Sequence, residues 1–562
     1  MKINIPFSCL PRRSGRYLGL AGVSLALGFS AVAEAQTAVL APSATAPAPT
    51  SRRFDIPSYV VSGQSALGAA QLKDLLAPYT GSQKSADDVN AARVALQAAL
   101  ARAGQRALVM VPEQTAGGPI RLDVTGGDSL VLKGSKVIGA TAGYSQANIE
   151  ASLPALKNGQ PVDESRLERN LRLANLNPGK RTSVELEPQG TGGDVNANVT
   201  VTAAAPLRGS VSLDNTGDAI TGHARLGLGI SHSNLTGHDD VLSAQFITSP
   251  SQPGKVQVFG LNYSVPLYDL NSQIEVSAAH ANSKVGLVQN LFNVSGQGTS
   301  AGVRWNYLLP ATGSVNWKAS VAYDWRQYKN DVTFAGAMGS LLPDVTVNPL
   351  TIGLAAADNQ AFGGYGSMEA SLAYSSNLRH GSSNAATFAQ ARAGAQPDYS
   401  LWKYALGVTL RAQPALASWG AKAQLSGQSS SNVLVYGEQF GLGGMNSVRG
   451  YGERQFNADS GYSLRSEVFS ANLAQGQQAG QSMAAWAQDI RLKAFADVGY
   501  GKRNQPLPGE MAEFRPASMG LGLYVLGQQG WSLTLDVARA LKTLGTRNKG
   551  DVSGHVSAIK VF

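Results

Sequence analysis

The chain has 562 residues, too many for one ordinary globular domain, and its net charge of +9 includes no Lys/Arg run past the N-terminal segment that would serve as a nucleic-acid arm. Only 15% of residues are charged and 63 are Gly, which argues against a soluble helical enzyme and for many short strands joined by Gly/Ser/Asn turns. The single cysteine, Cys9, falls in the N-terminal segment, so a processed chain would hold no disulfide, thiolate metal site or Cys nucleophile. That suits export to an oxidising compartment.

Residues 1–35 read as a secretory signal peptide. Lys2, Arg12, Arg13 and Arg16 supply a basic start, Leu18 to Phe29 an apolar stretch, and Ala33-Glu34-Ala35 the small residues of a cleavage site after Ala35. The apolar stretch is shorter than the roughly 20 residues a membrane anchor needs. No later stretch is long and apolar enough to span as a helix, so a membrane-embedded mature chain must span with strands. Residues 36–52 are Pro/Ala-rich and form a linker without the means to pack a core.

Residues 53–127 predict a compact α+β module. Phe54 to Val61 reads as a strand. Ser65 opens a helix to Leu76, and Ser85 with Asp88 caps a second one that presents Val89, Ala92, Leu96 and Leu100 on one face. Ala107 to Val111 and Ile120 to Val124 then form a hairpin around Gly117-Gly118. Residues 128–205 repeat the order, with a short strand Lys136 to Ile138, a helix Ser145 to Leu153, a helix capped by Asp163, and strands marked by Val184/Leu186 and Val199/Val201 around Gly190 to Gly193. Two successive units of about 75 residues with one element order predict a repeated fold, and two unrelated modules remain the alternative.

From 206 to 562 the helical period gives way to alternation. Leu226, Leu228 and Ile230 alternate with Arg225, Gly227 and Gly229. Trp317, Ala319, Val321, Tyr323 and Trp325 alternate with Lys318, Ser320, Asp324 and Arg326. Ile490, Leu492, Ala494 and Val498 alternate with Arg491, Lys493 and Asp497, and Leu533, Leu535 and Val537 with Thr534 and Asp536. One face is aliphatic with aromatics toward the strand ends, and the other mixes Gly and Ser with charge. That pattern predicts a barrel with lipid outside and a polar lumen inside. Strands of about 10 residues plus turns take roughly 20 to 25 residues each, which gives about 16 strands. Val556, Ala558 and Lys560 lead at period two to a terminal aromatic, Phe562, expected to act as a C-terminal assembly signal.

The six histidines (His223, His232, His238, His280, His380, His555) are scattered, and none has a second ligand at metal spacing. No nucleophile elbow, phosphate-binding loop or dinucleotide fingerprint is placed between strand and helix. The sequence therefore predicts no enzyme, catalytic residue, cofactor or metal.

One segment interrupts the strands. Glu438 to Tyr451 (EQFGLGGMNSVRGY) is a long Gly-rich loop, about 430–461, between strands ending near Ser429 and starting near Tyr462. Its Val448-Arg449-Gly450-Tyr451 resembles the VRG(Y/F) signature of the outer-membrane translocator and insertase superfamily. Phe495-Ala496-Asp497-Val498-Gly499 resembles the F-x-D-x-G signature of a following strand in that superfamily. With two modules like POTRA domains ahead of the barrel, the whole resembles the two-partner secretion branch (ShlB/FhaC/HecB). The assembly-factor branch carries more such domains.

The resemblance implies a membrane all-β fold: a 16-stranded transmembrane β-barrel preceded by two periplasmic α+β POTRA domains, in the outer membrane of a Gram-negative bacterium. It implies that the loop folds into the lumen, that Arg449 pairs with Asp497, that Gly450 lets the backbone turn beside the wall, and that Tyr451 and Phe495 pack the tip. It further implies a large secreted exoprotein as partner (an adhesin, cytolysin or contact toxin), contact with outer-membrane lipid, the barrel assembly machinery during biogenesis, no nucleic acid, and a monomer. Some members carry a plug helix, and the Pro-rich 36–53 region predicts none here. A barrel assembly factor and a passive porin are the alternative functions.

Overall fold

The computed structural model describes residues 54–63, 65–103, 108–112, 118–125, 130–189, 194–219, 221–283, 296–329, 343–411, 419–475 and 486–562. The expected leader, the linker with its plug-helix question, and Gly117 and Gly190 to Gly193 lie outside the described residues. The chain divides into two compact units, one ending at Ala204 and the other running from Ala205 to Phe562 with the short segment Leu176–Gly179.

In the first unit, Tyr59–Gly63 runs parallel to Ile120–Thr125, which also pairs antiparallel with Leu108–Met110. Helices α1 (Ala69–Leu76) and α2 (Ala86–Arg102) pack on this sheet through Leu76, Leu96 and Leu100 against Val109, Leu122 and Val124. Two details differ from the sequence reading. The strand expected over Phe54 to Val61 is broken at Pro57, which has no N–H for the ladder, and Phe54–Ile56 pairs instead with Gly81–Lys84. Ser65 does not cap α1. Its hydroxyl closes a turn on the Leu67 amide (3.1 Å), and the helix begins after Gly68, whose amide donates to Gln71 Oε1 at 3.0 Å. At α2 the Ser85 amide donates to Asp88 Oδ2 at 2.8 Å, which secures that helix start.

The same connectivity recurs. Val131–Ala140, longer than the three-residue strand expected, runs parallel to Asp194–Ala203, which pairs antiparallel with Lys180–Pro188. Helices α3 (Gln146–Ala151) and α4 (Glu164–Ala174) are capped by Ser145 and Asp163, and they bury Ile149, Leu167 and Leu171 against Leu132, Val184, Leu186 and Val199. Gly63 and Gly139 occupy equivalent places in the two modules. Both have positive φ (+99° and +104°), and a Cβ there would sit 2.0 and 2.3 Å from the carbonyl oxygens of Val124 and Val201 in the facing strand. Each of these strands can approach its central strand this closely at positive φ only because the residue is Gly.

The second unit is a closed barrel of sixteen long antiparallel strands. They are β1 (Leu207–Asp214), β2 (Arg225–His232), β3 (Val241–Thr248), β4 (Gln257–Leu267), β5 (Ser272–Ser283), β6 (Gly296–Leu308), β7 (Val315–Lys329) and β8 (Pro349–Asp358). Then follow β9 (Gly366–Asn377), β10 (Ser400–Arg411), β11 (Gly420–Ser429), β12 (Ser460–Phe469), β13 (Ala487–Lys502), β14 (Ala517–Gly527), β15 (Trp531–Ala540) and β16 (Val552–Val561). Each pairs with its sequence neighbour, and β16 pairs with β1 to close the ring. Two short strands, Val345–Val347 and Glu513–Phe514, extend the sheet beside β7 and β13.

Outward positions are apolar and exposed, as at Ile230, Phe259, Val303, Ile352, Leu372, Leu492 and Leu521. Inward ones carry buried charge and polarity, as at Asp324, Arg326, Glu467, Lys493, Asp497 and Asp536. Such an arrangement is stable only with hydrocarbon outside, and a closed ring leaves no unpaired edge in that medium. Among the described residues no helix is long and apolar enough to cross a membrane. The β1 and β16 ends meet at the rim where the chain enters the barrel, and there the Phe562 amide donates to Gly209 O at 2.9 Å. The Phe562 ring is exposed on the outside, 5.5 Å from Lys560 Nζ.

Candidate functional site

The segment between β11 and β12 spans residues 430–459 and is largely buried within the barrel unit. Its two arms pair as a small antiparallel ribbon, Phe440–Leu442 against Phe456–Ala458. Past the ribbon, Gly443 and Gly444 both take positive φ (+103° and +98°). They turn the chain toward the Val448-Arg449-Gly450-Tyr451 tip, a change of direction that L side chains rarely permit.

The tip lies against β12 to β16. Arg449 makes a two-pronged contact with Asp497 on β13: Nε donates to Oδ2 and Nη2 to Oδ1, each at 2.7 Å, and the Arg449 backbone amide adds a bond to Oδ2 at 3.1 Å. Nη1 donates to Glu467 Oε1 on β12 (2.6 Å) and to Asp536 Oδ2 on β15 (3.0 Å). Phe495, two residues before Asp497 on the same inward face, lies under the guanidinium with its ring centre 3.5 Å from Cζ. Both Arg449 and Asp497 side chains are fully buried. A planar cation with five donors suits this site, because it can fork to one carboxylate, reach two more and stack on a ring. Lys493 Nζ, 2.9 Å from Asp536 and 3.5 Å from Glu467, and Arg465, 3.6 Å from Glu467, complete a cluster of three carboxylates and three cations.

The neighbouring motif residues meet the wall in other ways. Gly450 has φ of +91°, and its amide donates to His555 Nε2 on β16 at 3.2 Å. Tyr451 hydroxyl lies 2.9 Å from Lys542 O and 3.1 Å from Ala517 O. Its ring packs with Val448, Leu442, Phe456 and Phe514 in a buried apolar cluster. Phe495 is not part of that cluster; it lies beneath Arg449. Gly499 provides the close approach: a Cβ there would stand 3.0 to 3.1 Å from Leu442, Pro516 and Val448 side-chain atoms. The structure thus brings Val448, Arg449, Gly450, Tyr451, Phe495, Asp497 and Gly499 into one region, and Phe562 lies apart from it at the rim.

Neither motif points to Glu467 or His555, which the fold brings to the site. Alternation puts Lys493 and Asp536 on the inward face, but it gives a residue's face and not what faces it across a lumen. Among the described residues no group of His, Cys, Asp or Glu could hold a metal.

Residues 193–525 match the family described as haemolysin secretion/activation protein ShlB/FhaC/HecB. HuxB of Haemophilus influenzae (strain 86-028NP), a heme/hemopexin transporter protein, is 22% identical over 380 residues, covering 67% of this chain and 64% of HuxB, so the match spans less than two thirds of that relative. CdiB from Escherichia coli superimposes with a TM-score of 0.63 at 18% identity over 93% of both chains. CdiB from Acinetobacter baumannii gives 0.59 at 14% identity over 92% of this chain and 91% of its own. A closed sixteen-strand barrel, an inward Gly-rich loop docked on its wall and a family match over more than half of the residues lead to one conclusion: this outer-membrane protein belongs to the haemolysin secretion/activation (ShlB/FhaC/HecB) family.

Proposed function

We propose that this chain is the transporter of a two-partner secretion pair, passing one large unfolded exoprotein from the periplasm through the barrel to the cell surface or medium. The observation that carries the reading is the buried Arg449–Asp497 fork, which ties a long loop to the inner wall of a lipid-embedded barrel. A passive solute pore needs no such loop and no modules ahead of it. The two α+β modules act as POTRA domains. Their three-stranded sheets leave outer strands, such as Leu108–Met110 and Lys180–Pro188, to which an extended client can add by main-chain pairing. Recognition through backbone hydrogen bonds suits a client that has not yet folded, and folding outside the cell supplies direction without a nucleotide. Transport requires no chemical step, so the protein is not an enzyme. Phe562 serves the barrel assembly machinery during biogenesis, and the barrel works as a monomer. The partner is an adhesin, cytolysin or contact toxin.

The test is deletion of the gene, followed by comparison of culture supernatant and outer-membrane protein content. Loss of one large exoprotein with the barrel population intact is expected. Loss of many barrels would replace this reading with a barrel-assembly role, and no change in either would refute both.

A further inference from the structure

The loop is held at a second place, remote from the Arg449 cluster and opposite in polarity. At the root of the loop Glu438 accepts two hydrogen bonds from Arg326 Nη1 (3.0 and 3.3 Å) and one from Tyr328 hydroxyl (2.6 Å). Both partners lie on β7, whereas the tip docks on β12, β13 and β15, and β8 to β11 separate β7 from β12 around the ring. Here the loop supplies the anion and the wall the cation, the reverse of Arg449. Arg326 is itself tethered by Asp324 at 2.8 Å, and the Glu438 side chain is 2% exposed. Burial opposes the charge on Glu438, but Arg326 and Lys403 together hold its carboxyl below the ordinary carboxylate range.

Two further features fix the same root. Val433, Leu434 and Val435 are buried in an apolar cluster with Val347, Phe388 and Tyr399, which includes the short helix α5 (Ala385–Ala391) in the β9–β10 connection. The other end of the loop is held by Arg392, whose Nη1 donates to Asp459 Oδ1 at 2.8 Å and to Leu434 O at 2.8 Å. Between this root and the tip lie Gly443 and Gly444 with their positive φ. The root is therefore packed and charge-locked to one arc of the barrel, while the tip is charge-locked to another, with a glycine turn between.

We propose that Glu438 is a positioning residue that fixes the root of the loop to Arg326 on β7 independently of the Arg449 lock, so that either end can be released while the other stays in place. The inference goes beyond the transport reading, and it is tested without the partner.

Two reporters are placed in the full-length protein on a Cys9→Ser background, Val435→Cys at the root and Ser447→Cys at the tip. Labelling by a membrane-impermeant maleimide is followed on whole cells with equal folded barrel in the outer membrane. Glu438→Gln is expected to speed root labelling at least ten-fold and leave tip labelling within two-fold; Arg449→Ala is expected to do the reverse. Arg326→Gln, which leaves the loop's sequence intact, should reproduce Glu438→Gln, and the double variant should label no faster than the faster single. The proposal is overturned if Glu438→Gln exposes both reporters together or neither, or if the two single effects multiply. Secretion of the partner is scored separately, so a failure of the transport reading leaves the labelling result intact.

Discussion

Truncating Arg449 to Ala is the sharpest perturbation of the loop tip. It removes the forked contact at 2.7 and 2.7 Å to Asp497 and the bonds to Glu467 and Asp536, and it uncovers the Phe495 ring. Three carboxylates then face only Lys493 and Arg465, leaving Asp497 buried without its cation. Removing one partner of a buried pair costs about 3–5 kcal/mol. At about 1.4 kcal/mol per decade that is roughly two to three and a half decades in the docked-to-free ratio of the tip. The barrel wall is unchanged, so insertion should survive. Arg449→Lys keeps the charge but cannot fork or stack, and should recover only part of the loss. The assay is partner protein in the culture supernatant at matched amounts of folded transporter. The order wild type, Lys, Ala is expected, with the Ala variant reduced at least ten-fold. Normal secretion by Arg449→Ala would refute the reasoning, as would a Lys variant equal to wild type.

Gly499→Leu should block docking of the tip, because even a Cβ there would stand 3.0 Å from Leu442; reduced secretion with a normal amount of folded barrel checks it. Gly450→Ala forces φ of +91° on a residue with a Cβ, a strain of about 1–2 kcal/mol, and should give a milder defect in the same assay. Leu167→Ala in α4 empties a fully buried position and should destabilise its module by about 2–5 kcal/mol, read as increased protease cleavage upstream of the barrel. The Glu438 carboxyl is held below its ordinary range, so the root lock is complete above the unfolded-state value of about 4.3 and is lost only below it. Root labelling of the Val435→Cys reporter, divided at each pH by that of a freely accessible thiol to remove the fall in thiolate, should therefore stay flat from about pH 8 to pH 5, and a rise by pH 6 would contradict this.

Much of the architecture was legible because the period of a sequence is a local property. Leu228 and Ile230 alternate with Gly227 and Gly229 whether or not the ring is closed, and a charged inward face opposite an aliphatic one has few stable uses besides a barrel in lipid. Helix caps are equally local, which is why Ser85 and Asp163 are legible from the sequence. Ser65 misled, since a hydroxyl can serve a turn as readily as a helix start. The strand over Phe54 to Val61 misled because Pro57 breaks a ladder whose second half was not visible in the chain. The Arg449–Asp497 pairing follows from family resemblance and not from spacing, since nothing in the separation of residues 449 and 497 brings them together.

Alone, the sequence determined periodicity, caps, the polarity of each strand face and the place of the Gly-rich interruption. All of these depend on residues a few positions apart. Tertiary structure alone decided which charges meet: Glu467, Asp536 and Lys493 around Arg449, and Arg326 with Tyr328 around Glu438. Those partners come from several separate strands, β12, β13 and β15 for Arg449 and β7 for Glu438, and the loop's path into the lumen brings it to them. A contact across a lumen depends on strand number, register and the path of the loop together, and no stretch of sequence holds all three.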